Sequence, residues 1–228
     1  MNSMYEILMA LPLFRGVSYE KLSEVVGKTK FHFLKYLDGE RVVTAGDPCT
    51  HIKFVISGAV RASIENSDGR FRVLQTLSAP STVCPDFLFG RATNYPCTAT
   101  AIGSAGILQI AKQDYVKILG ADSVFLYNYL NTLSVNAQKA VEGVLAVTTG
   151  TLEQRIAFWI SALSQRGGTD IVLECKQRDL YSMFGVQRSS FMAVLESMKR
   201  RGLIDYTSQS MTIHNRADMV ALLASDID

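Results

Sequence analysis

The spacing of apolar and polar residues changes along the chain, and each change marks a different kind of element. Two short helices are predicted first, over residues 3–13 and Tyr19–Lys28, with Ser18 as the N-cap of the second. From Lys30 to Ile110, apolar and polar residues alternate in short runs, which is typical of half-buried strands. Turn signals recur between these runs at intervals of about 8 to 12 residues, namely Asp38-Gly39, Gly46-Asp47-Pro48, Ser57-Gly58 and Ser67-Asp68-Gly69. The pattern predicts a β-sandwich or barrel.

A long helical stretch follows over residues 113–147, with Gly120 predicted to break an early piece from a longer one. In the longer piece, apolar residues recur at alternating steps of four and three, which is the a/d seam of a coiled coil. The seam comprises Leu126, Leu130, Leu133, Ala137, Ala140, Val144 and Val147. A helix packed only on its own barrel also needs an apolar stripe. The strict heptad period, with two small alanines that allow close approach, favours self-association through a dimerisation helix.

Residues Lys176–Arg201 show the pattern of two short helices joined by a glycine turn. Leu180, Met183 and Phe184 have helical apolar spacing, and Gly185 ends that helix because glycine tolerates the left-handed conformation. The apolar stripe of the second helix consists of Phe191, Val194, Leu195 and Met198. This stripe leaves Gln187, Arg188, Ser189 and Ser190 at the leading end, where a recognition helix meets base edges. The segment is a helix-turn-helix candidate.

Charge and the following residues strengthen the DNA-binding interpretation. Lys176–Arg201 contains six Lys or Arg residues and two acidic residues, a local charge of +4, whereas the whole chain carries only +2. Phosphate contacts need such a local excess. Leu203–Tyr206 and Met211–His214 then alternate like two short strands around Thr207–Ser210. Helix, turn, helix and β-hairpin in this order predict a winged helix-turn-helix.

The composition of the 228 residues excludes several other classes of protein. The chain is 48% hydrophobic and 19% charged, which is ordinary for a globular protein, and it contains no run of about 18 apolar residues that would span a membrane. The N-terminus lacks the basic region of a signal peptide, so we expect a cytoplasmic protein. Four cysteines and three histidines show no zinc-binding spacing. No catalytic motif occurs, and the sequence predicts neither an enzyme nor a metal site nor an evident cofactor.

Together these patterns predict an α+β architecture with three parts. Residues 1–120 form a double-stranded β-helix or jelly-roll barrel with N-terminal helices, and residues 121–148 form the dimerisation helix. Thr148–Thr151 is a predicted hinge, with Thr151 as the N-cap of a helix over Leu152–Gln165. Residues 149–228 form the winged helix-turn-helix, entered through a short strand at Ile171–Leu173.

With these parts in this order, the chain resembles the Crp–Fnr superfamily of bacterial transcription regulators over essentially its whole length. The matching residues are Pro12-Leu13-Phe14, Asp38-Gly39, Gly46-Asp47, Ile56-Ser57-Gly58, Asp68-Gly69, Arg155-Ile156-Ala157, Arg178-Asp179-Leu180 and Gly185-Val186. The resemblance implies a homodimer on double-stranded DNA, with paired recognition helices in successive major grooves of an inverted repeat. It also implies a barrel that binds an effector and shifts the hinge between two arrangements, with RNA polymerase as a candidate partner.

The resemblance also assigns roles on DNA to individual residues. Gln177 and Arg178 match positions that contact the DNA backbone, and Arg188 matches an arginine that contacts a base. We expect Gln187, Ser189 and Ser190 to adjust the base preference, and the predicted DNA-binding set is completed by Lys199. The best-known members have Glu where this chain has Ser189 and a second Arg where it has Ala193. The resemblance therefore implies an operator that differs from theirs.

The barrel departs further from members that bind cyclic nucleotides. Those members carry a Gly-Glu pair that holds the ribose and an Arg-Ser/Thr pair that neutralises the phosphate. This chain has Cys84-Pro85 and Cys97-Thr98 at those places, and Ala140 and Val141 where hydroxyl groups would meet the base. Burying a phosphate without a cation is costly, so we do not expect cyclic AMP to bind in the usual manner. An iron–sulfur cluster is not expected either, because the N-terminus has no cysteine cluster.

The nature of the effector stays open at this point. The predicted pocket comprises Val83, Cys84, Phe87, Cys97, Thr98, Ala140 and Val141. An apolar effector near Val83, Phe87, Leu88 and Phe89 is one possibility, and no effector at all is another. If Cys84 and Cys97 lie close together, they could act as a thiol sensor through a disulfide or a soft metal, or they could be two small buried side chains. Two other functions are considered for the whole chain, a cupin-like metalloenzyme and a winged helix that binds protein.

Overall fold

Helix boundaries at the start of the chain follow local capping signals. The computed structural model describes residues 4–146, 150–165 and 167–224. Ser18 caps the second helix as predicted, and its hydroxyl accepts a hydrogen bond from the amide of Lys21 at 3.3 Å. Along the first part of the chain the elements are α1 (Met4–Ala10), α2 (Tyr19–Lys28), β1 (His32–Tyr36), β2 (Arg41–Val43), β3 (His51–Glu65), β4 (Phe71–Ser78), β5 (Ser81–Val83), β6 (Thr98–Ala111), α3 (Lys112–Ala121) and α4 (Ser123–Ala146). Short 3₁₀ turns occupy Pro12–Phe14 and Pro85–Phe87.

The break between α3 and α4 lies at Asp122 and not at Gly120, which corrects the prediction from the sequence. Asp122 has an extended backbone and its carboxylate accepts the amide of Val124 at 2.9 Å, so it acts as a cap at the start of α4. Gly120 remains within α3. The shorter helix therefore ends at the aspartate that caps the next helix, and not at the glycine.

The remaining elements form the C-terminal part of the chain. They are α5 (Leu152–Leu163), β7 (Thr169–Cys175), α6 (Gln177–Met183), α7 (Arg188–Arg200), β8 (Ile204–Tyr206), β9 (Ser210–Ile213) and α8 (Arg216–Ala224). Thr151 caps α5 as predicted, because its hydroxyl accepts the amide of Gln154 and the Gln154 side chain accepts the amide of Thr151. Of the predicted hinge, Thr148 and Thr149 lie outside the described residues.

The chain separates into two units, and the first is built on antiparallel strands. It comprises Met1–Ala62 and Leu77–Asn136. In its sheet, β6 pairs with β1 from His32↔Gln109 to Tyr36↔Ala105, and β6 also pairs with β2 across a bulge. On the other side β3 neighbours β6, and β3 pairs with β5. The core of this unit is apolar, with Phe14, Phe54 and Phe125 fully buried.

One glycine in this sheet is required by close backbone contact. Gly58 has φ +68°, and a Cβ atom placed there would overlap with the carbonyl oxygen of Ser104. Gly58 lies in β3 and Ser104 in the adjacent strand β6. Only a residue without a side chain fits both the backbone angle and the space.

The second unit comprises Ser63–Thr76 and Ala137–Asp228. Its sheet contains residues 71–76 of β4, then β7, β9 and β8, all antiparallel. The sequence places residues 63–76 within 1–120, whereas their backbone pairs with β7 from Phe71↔Cys175 to Thr76↔Thr169. The buried side chain of Gln75 also accepts the amide of Gln165 at 2.7 Å. The hairpin between β3 and β4 is thus part of the sheet of the winged unit.

Candidate functional site

The helix-turn-helix is formed by α6 and α7 around a glycine turn. Gly185 has φ +65° and its amide donates to the carbonyl of Ser182 at 3.1 Å, while the amide of Val186 donates to Tyr181 at 3.0 Å. These bonds satisfy carbonyl groups at the end of α6. Gln187 is the extended N-cap residue of α7, so α7 begins at Arg188.

Helix α7 has a buried face and an exposed leading end. Phe191, Leu195 and Met198 are fully buried and lie in the core of the second unit. Four residues of the predicted DNA-binding set are exposed at the opposite face and the start of the helix: Gln187, Arg188, Ser189 and Ser190. The apolar stripe orients the helix, and this orientation presents a guanidinium, an amide and two hydroxyls to solvent. Those groups can donate and accept hydrogen bonds at base edges.

The wing is fixed to the beginning of α6. The amide of Gln177 donates to the carbonyl of Ser208 at 3.3 Å, and its side-chain nitrogen donates to the carbonyl of Thr207 at 2.8 Å. The amide of Cys175 donates to the carbonyl of Gln209 at 2.9 Å. Because these bonds hold the loop between β8 and β9, the wing tip and the start of α6 form one continuous surface. Gln177, predicted to contact DNA, has its side-chain amide engaged by the wing.

Lys199 has an exposed side chain that contacts the first strand of the wing. Its ammonium lies 3.5 Å from the carboxylate of Asp205 and 5.6 Å from the ring centroid of Tyr206. The hydroxyl of Tyr206 donates to Glu196 at 2.9 Å. Burial, then this hydrogen bond, raises the pKa of Tyr206. Lys199 therefore links α7 to β8, a role that its position in a basic cluster did not indicate.

A polar cleft lies beside the start of α6 in the second unit. It has a volume of about 370 Å³ and is lined by Gly69, Arg70, Glu174, Cys175, Lys176, Arg178, Asp179 and Gln209. Arg178, predicted to contact the DNA backbone, is well exposed there. The sequence did not identify Arg70 as a neighbour of this region, because Arg70 lies on the hairpin before β4, more than a hundred residues earlier. The cleft places three basic side chains on one surface.

Helix α4 has two faces, and the predicted seam lies on the exposed one. Phe125 and Tyr129 are buried in the core of the first unit, and Asn128 donates to the carbonyls of Leu13 and Arg15 at 2.9 and 2.8 Å. Among the seam residues, Leu126 and Leu130 are 41% and 45% exposed, Leu133 is half-buried, and Ala137 and Ala140 are exposed. The Val144 side chain and Val147 lie outside the described residues. Leu133 also packs against the core of the first unit, so the seam shares one residue with the buried stripe, while Leu126 and Leu130 stay exposed.

Five residues of the predicted effector pocket lie in the first unit. Val83, Cys84 and Cys97 are buried in the core of the first unit, and Phe87 is half-buried against it. The hydroxyl of Thr98 accepts the amide of Ala45 at 3.1 Å. Two further predicted pocket residues, Ala140 and Val141, lie on the exposed part of α4 and belong to the second unit.

Cys84 and Cys97 are direct neighbours, with their sulfur atoms 3.0 Å apart. A hydrogen bond from Cys84 lowers the pKa of the Cys97 thiol, whereas the same bond and then burial raise the pKa of Cys84. Cys84 also has φ +45°, in the left-handed region that favours glycine. The expectation that Cys84 replaces a family glycine agrees with this backbone angle.

Metal sites and membrane-spanning helices bear on the competing functions. Within the described part of the chain, no group of three or more His, Cys, Asp or Glu side chains is placed to hold a metal ion. Among residues 4–146, 150–165 and 167–224, no helix is long and apolar enough to cross a membrane.

Two known protein families match this chain, one in its N-terminal part and the other in its C-terminal part. The family described as cyclic nucleotide-binding domain matches residues 33–122, and the Crp-like helix-turn-helix domain matches residues 154–222. The chain belongs to the Crp–Fnr superfamily of transcription regulators. It has the DNA-binding and cyclic-nucleotide-binding-like domains of that superfamily, and its α+β fold class is as predicted.

Individual relatives of this Crp–Fnr chain are distant in sequence. The cAMP-activated global transcriptional regulator Vfr of Pseudomonas aeruginosa is 20% identical over 190 residues, 80% of this chain and 89% of that protein. The potassium channel GORK of Arabidopsis thaliana is 25% identical over 162 residues, 69% of this chain but only 19% of the channel. The catabolite activator protein of Thermus thermophilus has a similar fold, with a TM-score of 0.53, 19% identity, and coverage of 94% of this chain and 99% of that one.

Proposed function

We propose that this Crp–Fnr regulator works as a homodimer that places two copies of α7 in the major groove of an inverted-repeat operator. The observation that carries the proposal is the exposed leading end of α7, which consists of Gln187, Arg188, Ser189 and Ser190. The first turn of this helix contains no acidic residue that would repel phosphate. The wing, fixed to the start of α6, supports contacts with the phosphate backbone.

Dimerisation is proposed through the exposed seam of α4. An apolar stripe with Leu126 and Leu130 left at 41% and 45% exposure is costly in water, and a second copy of the helix would bury it. Because the opposite face with Phe125 and Tyr129 is already buried in the first unit, the helix can serve both contacts at once. The two-fold symmetry of such a dimer matches an inverted repeat.

We propose further that cyclic AMP does not control DNA binding in the usual manner. Cys97 takes the place of the phosphate-binding arginine, and the hydroxyl of Thr98 already accepts the amide of Ala45. Cys84-Pro85 likewise offers no carboxylate for a ribose hydroxyl. We therefore propose that an apolar effector or no effector at all takes the place of cyclic AMP.

Binding of the purified chain to promoter fragments tests the DNA-binding part. The affinity should fall by about a hundredfold or more between roughly 50 and 200 mM salt, because protein cations displace counterions from the phosphates. Sedimentation should give a dimer, and cyclic AMP should leave the affinity unchanged. If the protein bound no promoter fragment at any salt concentration, that result would instead favour a winged helix that binds protein.

A further inference from the structure

Two thiols lie side by side inside the first unit. Cys84 follows β5 and Cys97 precedes β6, and their sulfur atoms are 3.0 Å apart. Both are buried, Cys84 at 6% and Cys97 at 1% exposure. A disulfide bond needs about 2.05 Å between the sulfur atoms, so an approach of about 1 Å would bring them within bonding distance.

We infer that Cys84 and Cys97 form a redox-active dithiol that a hydroperoxide converts to an intramolecular disulfide. A pair of thiols at this distance needs no rearrangement of distant segments to react. Disulfides in reducing compartments are typically transient and serve redox sensing, which fits a regulator expected in the cytoplasm.

The reaction balances in two steps with hydrogen peroxide as the oxidant. The Cys97 thiol first loses its proton to water, and its thiolate then attacks one peroxide oxygen. The O–O bond breaks, the hydroxide that leaves takes up a proton to become the first water, and Cys97 becomes a sulfenic acid. The sulfur of Cys84 then attacks the sulfur of Cys97, the S–O bond breaks, and the Cys84 proton leaves with the hydroxyl group as water. Overall, two thiols and one peroxide give one disulfide and two waters.

Cys97 is the first thiol to react because its thiolate is the stabilised one. The hydrogen bond from Cys84 lowers the pKa of Cys97, and thiolates rather than thiols are nucleophiles. By contrast, burial raises the pKa of Cys49 and raises that of Cys175 to about 11. These two buried cysteines are therefore matched controls with poor nucleophilicity.

The backbone at Cys84 argues against simple space filling. A residue with a side chain at φ +45° carries a strain of about 1–2 kcal/mol that glycine would avoid. Strained positions of this kind are concentrated at functional sites. A cysteine kept in this conformation, next to a second cysteine, is better explained by thiol chemistry than by packing.

The dithiol is also close along the chain to the hairpin of the winged unit. Thr76 of β4 pairs with Thr169 of β7, and only the end of β4, a turn and β5 separate Thr76 from Cys84. Cys84 directly follows β5, so a displacement of its backbone on disulfide formation would act first on that strand and, through the turn before it, on the end of β4. An effect of oxidation on DNA binding rests on the proposed function, whereas the disulfide itself does not.

Treatment of the full chain with hydrogen peroxide tests the disulfide directly. After blocking of remaining thiols and digestion without reductant, mass spectrometry should find the Cys84 and Cys97 peptides joined, with the loss of two hydrogen atoms. The peptides of Cys49 and Cys175 should stay unlinked, and dithiothreitol should restore all four thiols. Unlinked Cys84 and Cys97 in the folded, peroxide-treated protein would overturn the inference.

Two variants separate the site from the fold. Cys84→Gly removes one thiol at a position whose backbone suits glycine, so it should fold, and Cys97→Ser removes the other. Either variant should lose the cross-link, and Cys49→Ala should keep it. Cys84→Ser keeps a hydroxyl that can donate to Cys97 but cannot form the disulfide, so in this variant Cys97 should be trapped as a sulfenic acid that dimedone labels. Failure of that labelling would contradict Cys97 as the first thiol to react.

The DNA arm uses a promoter fragment that the reduced protein binds. Oxidation should change its affinity by about fivefold or more, and Cys84→Gly should abolish the change. A disulfide that forms without any change in affinity would overturn the regulatory role. If no promoter fragment bound either redox form although the disulfide formed, the proposed function would be wrong and the inference of a redox-active dithiol would stand.

Discussion

Arg155 of α5 donates a hydrogen bond from Nη2 to the carbonyl oxygen of Phe184, at a distance of 2.6 Å. The centre of its guanidinium also lies 5.5 Å from the centroid of the Phe184 ring. Phe184 is the C-cap residue of α6, where carbonyl groups lack helical partners. One arginine therefore joins the helix that follows the predicted hinge to the turn that sets the angle between α6 and α7.

Replacing Arg155 by alanine should destabilise the second unit by about 1–3 kcal/mol, because the Phe184 carbonyl loses a charged partner in a partly buried place. Urea unfolding followed by the fluorescence of Trp159 measures this, since Trp159 packs against Phe184 at 5.7 Å between ring centroids. Arg91→Ala, at an exposed position of the first unit, is the control and should change stability by less than about 0.5 kcal/mol. Equal effects of the two substitutions would contradict the role of Arg155.

Gly58→Ala should be one of the most damaging single substitutions in the first unit. The new Cβ would overlap with the Ser104 carbonyl in the adjacent strand and also strain a residue at φ +68°. We expect a loss of about 3 kcal/mol or more, or no soluble folded protein. Gly39→Ala is the matched control, since Gly39 has φ +79° but open space around its Cβ position, and it should cost only about 1–2 kcal/mol. Thermal unfolding of both variants measures the difference, and a Gly58 variant as stable as the Gly39 variant would refute the steric argument.

Local signals in the sequence were sufficient for the helix ends and the recognition helix. Ser18 and Thr151 cap helices where predicted, and Gly185 forms the turn before α7, because each acts through atoms within a few residues. The break near Gly120 was misplaced, because an Asp122 cap and a helix-breaking glycine give similar sequence signals. α8 (Arg216–Ala224) was not predicted.

Long-range contacts could not be predicted from the sequence. Nothing local to residues 63–76 indicates that their hairpin pairs with β7, almost a hundred residues later. The same holds for Arg70, which lies beside the cleft near α6. Only the resemblance to the family indicated that Cys84 and Cys97 could be close together, because the residues aligned with Cys84-Pro85 and Cys97-Thr98 contact the same cyclic nucleotide in other members.

The exposed seam residues Leu126 and Leu130 of α4 should hold the proposed dimer together while contributing little to the fold of one chain. Leu130→Glu places a charge on the exposed face, so the chain should fold normally but shift from dimer to monomer, and its affinity for an inverted repeat should fall by about tenfold or more. Val116→Glu, at a 50% exposed position of α3, is the control and should leave the dimer intact. Sedimentation velocity measures both. A Leu130 variant that remains dimeric at micromolar concentration would place the interface elsewhere.

Arg188 should determine which base is preferred at one position of each operator half-site. Its guanidinium, exposed at the first residue of α7, can bond both acceptors of a guanine, which is worth about 1–3 kcal/mol of discrimination, or roughly 5- to 150-fold in affinity. Arg188→Ala should therefore weaken binding to the best operator by about that factor for each half-site, and should leave binding to unrelated DNA nearly unchanged.

Two further variants separate base contact from charge. Arg188→Lys keeps the charge but not the planar fork, so it should lose most of the discrimination while keeping the salt dependence. Arg178→Ala, at an exposed position predicted to contact phosphate, should instead weaken binding to all sequences alike and reduce the slope of log affinity against log salt by about one for each subunit. Selection of bound fragments from a random-sequence pool, followed by titrations at several salt concentrations, measures both quantities. If Arg188→Ala also lowered affinity equally for every sequence, Arg188 would be a phosphate contact, and the base preference would have to come from Gln187, Ser189 or Ser190.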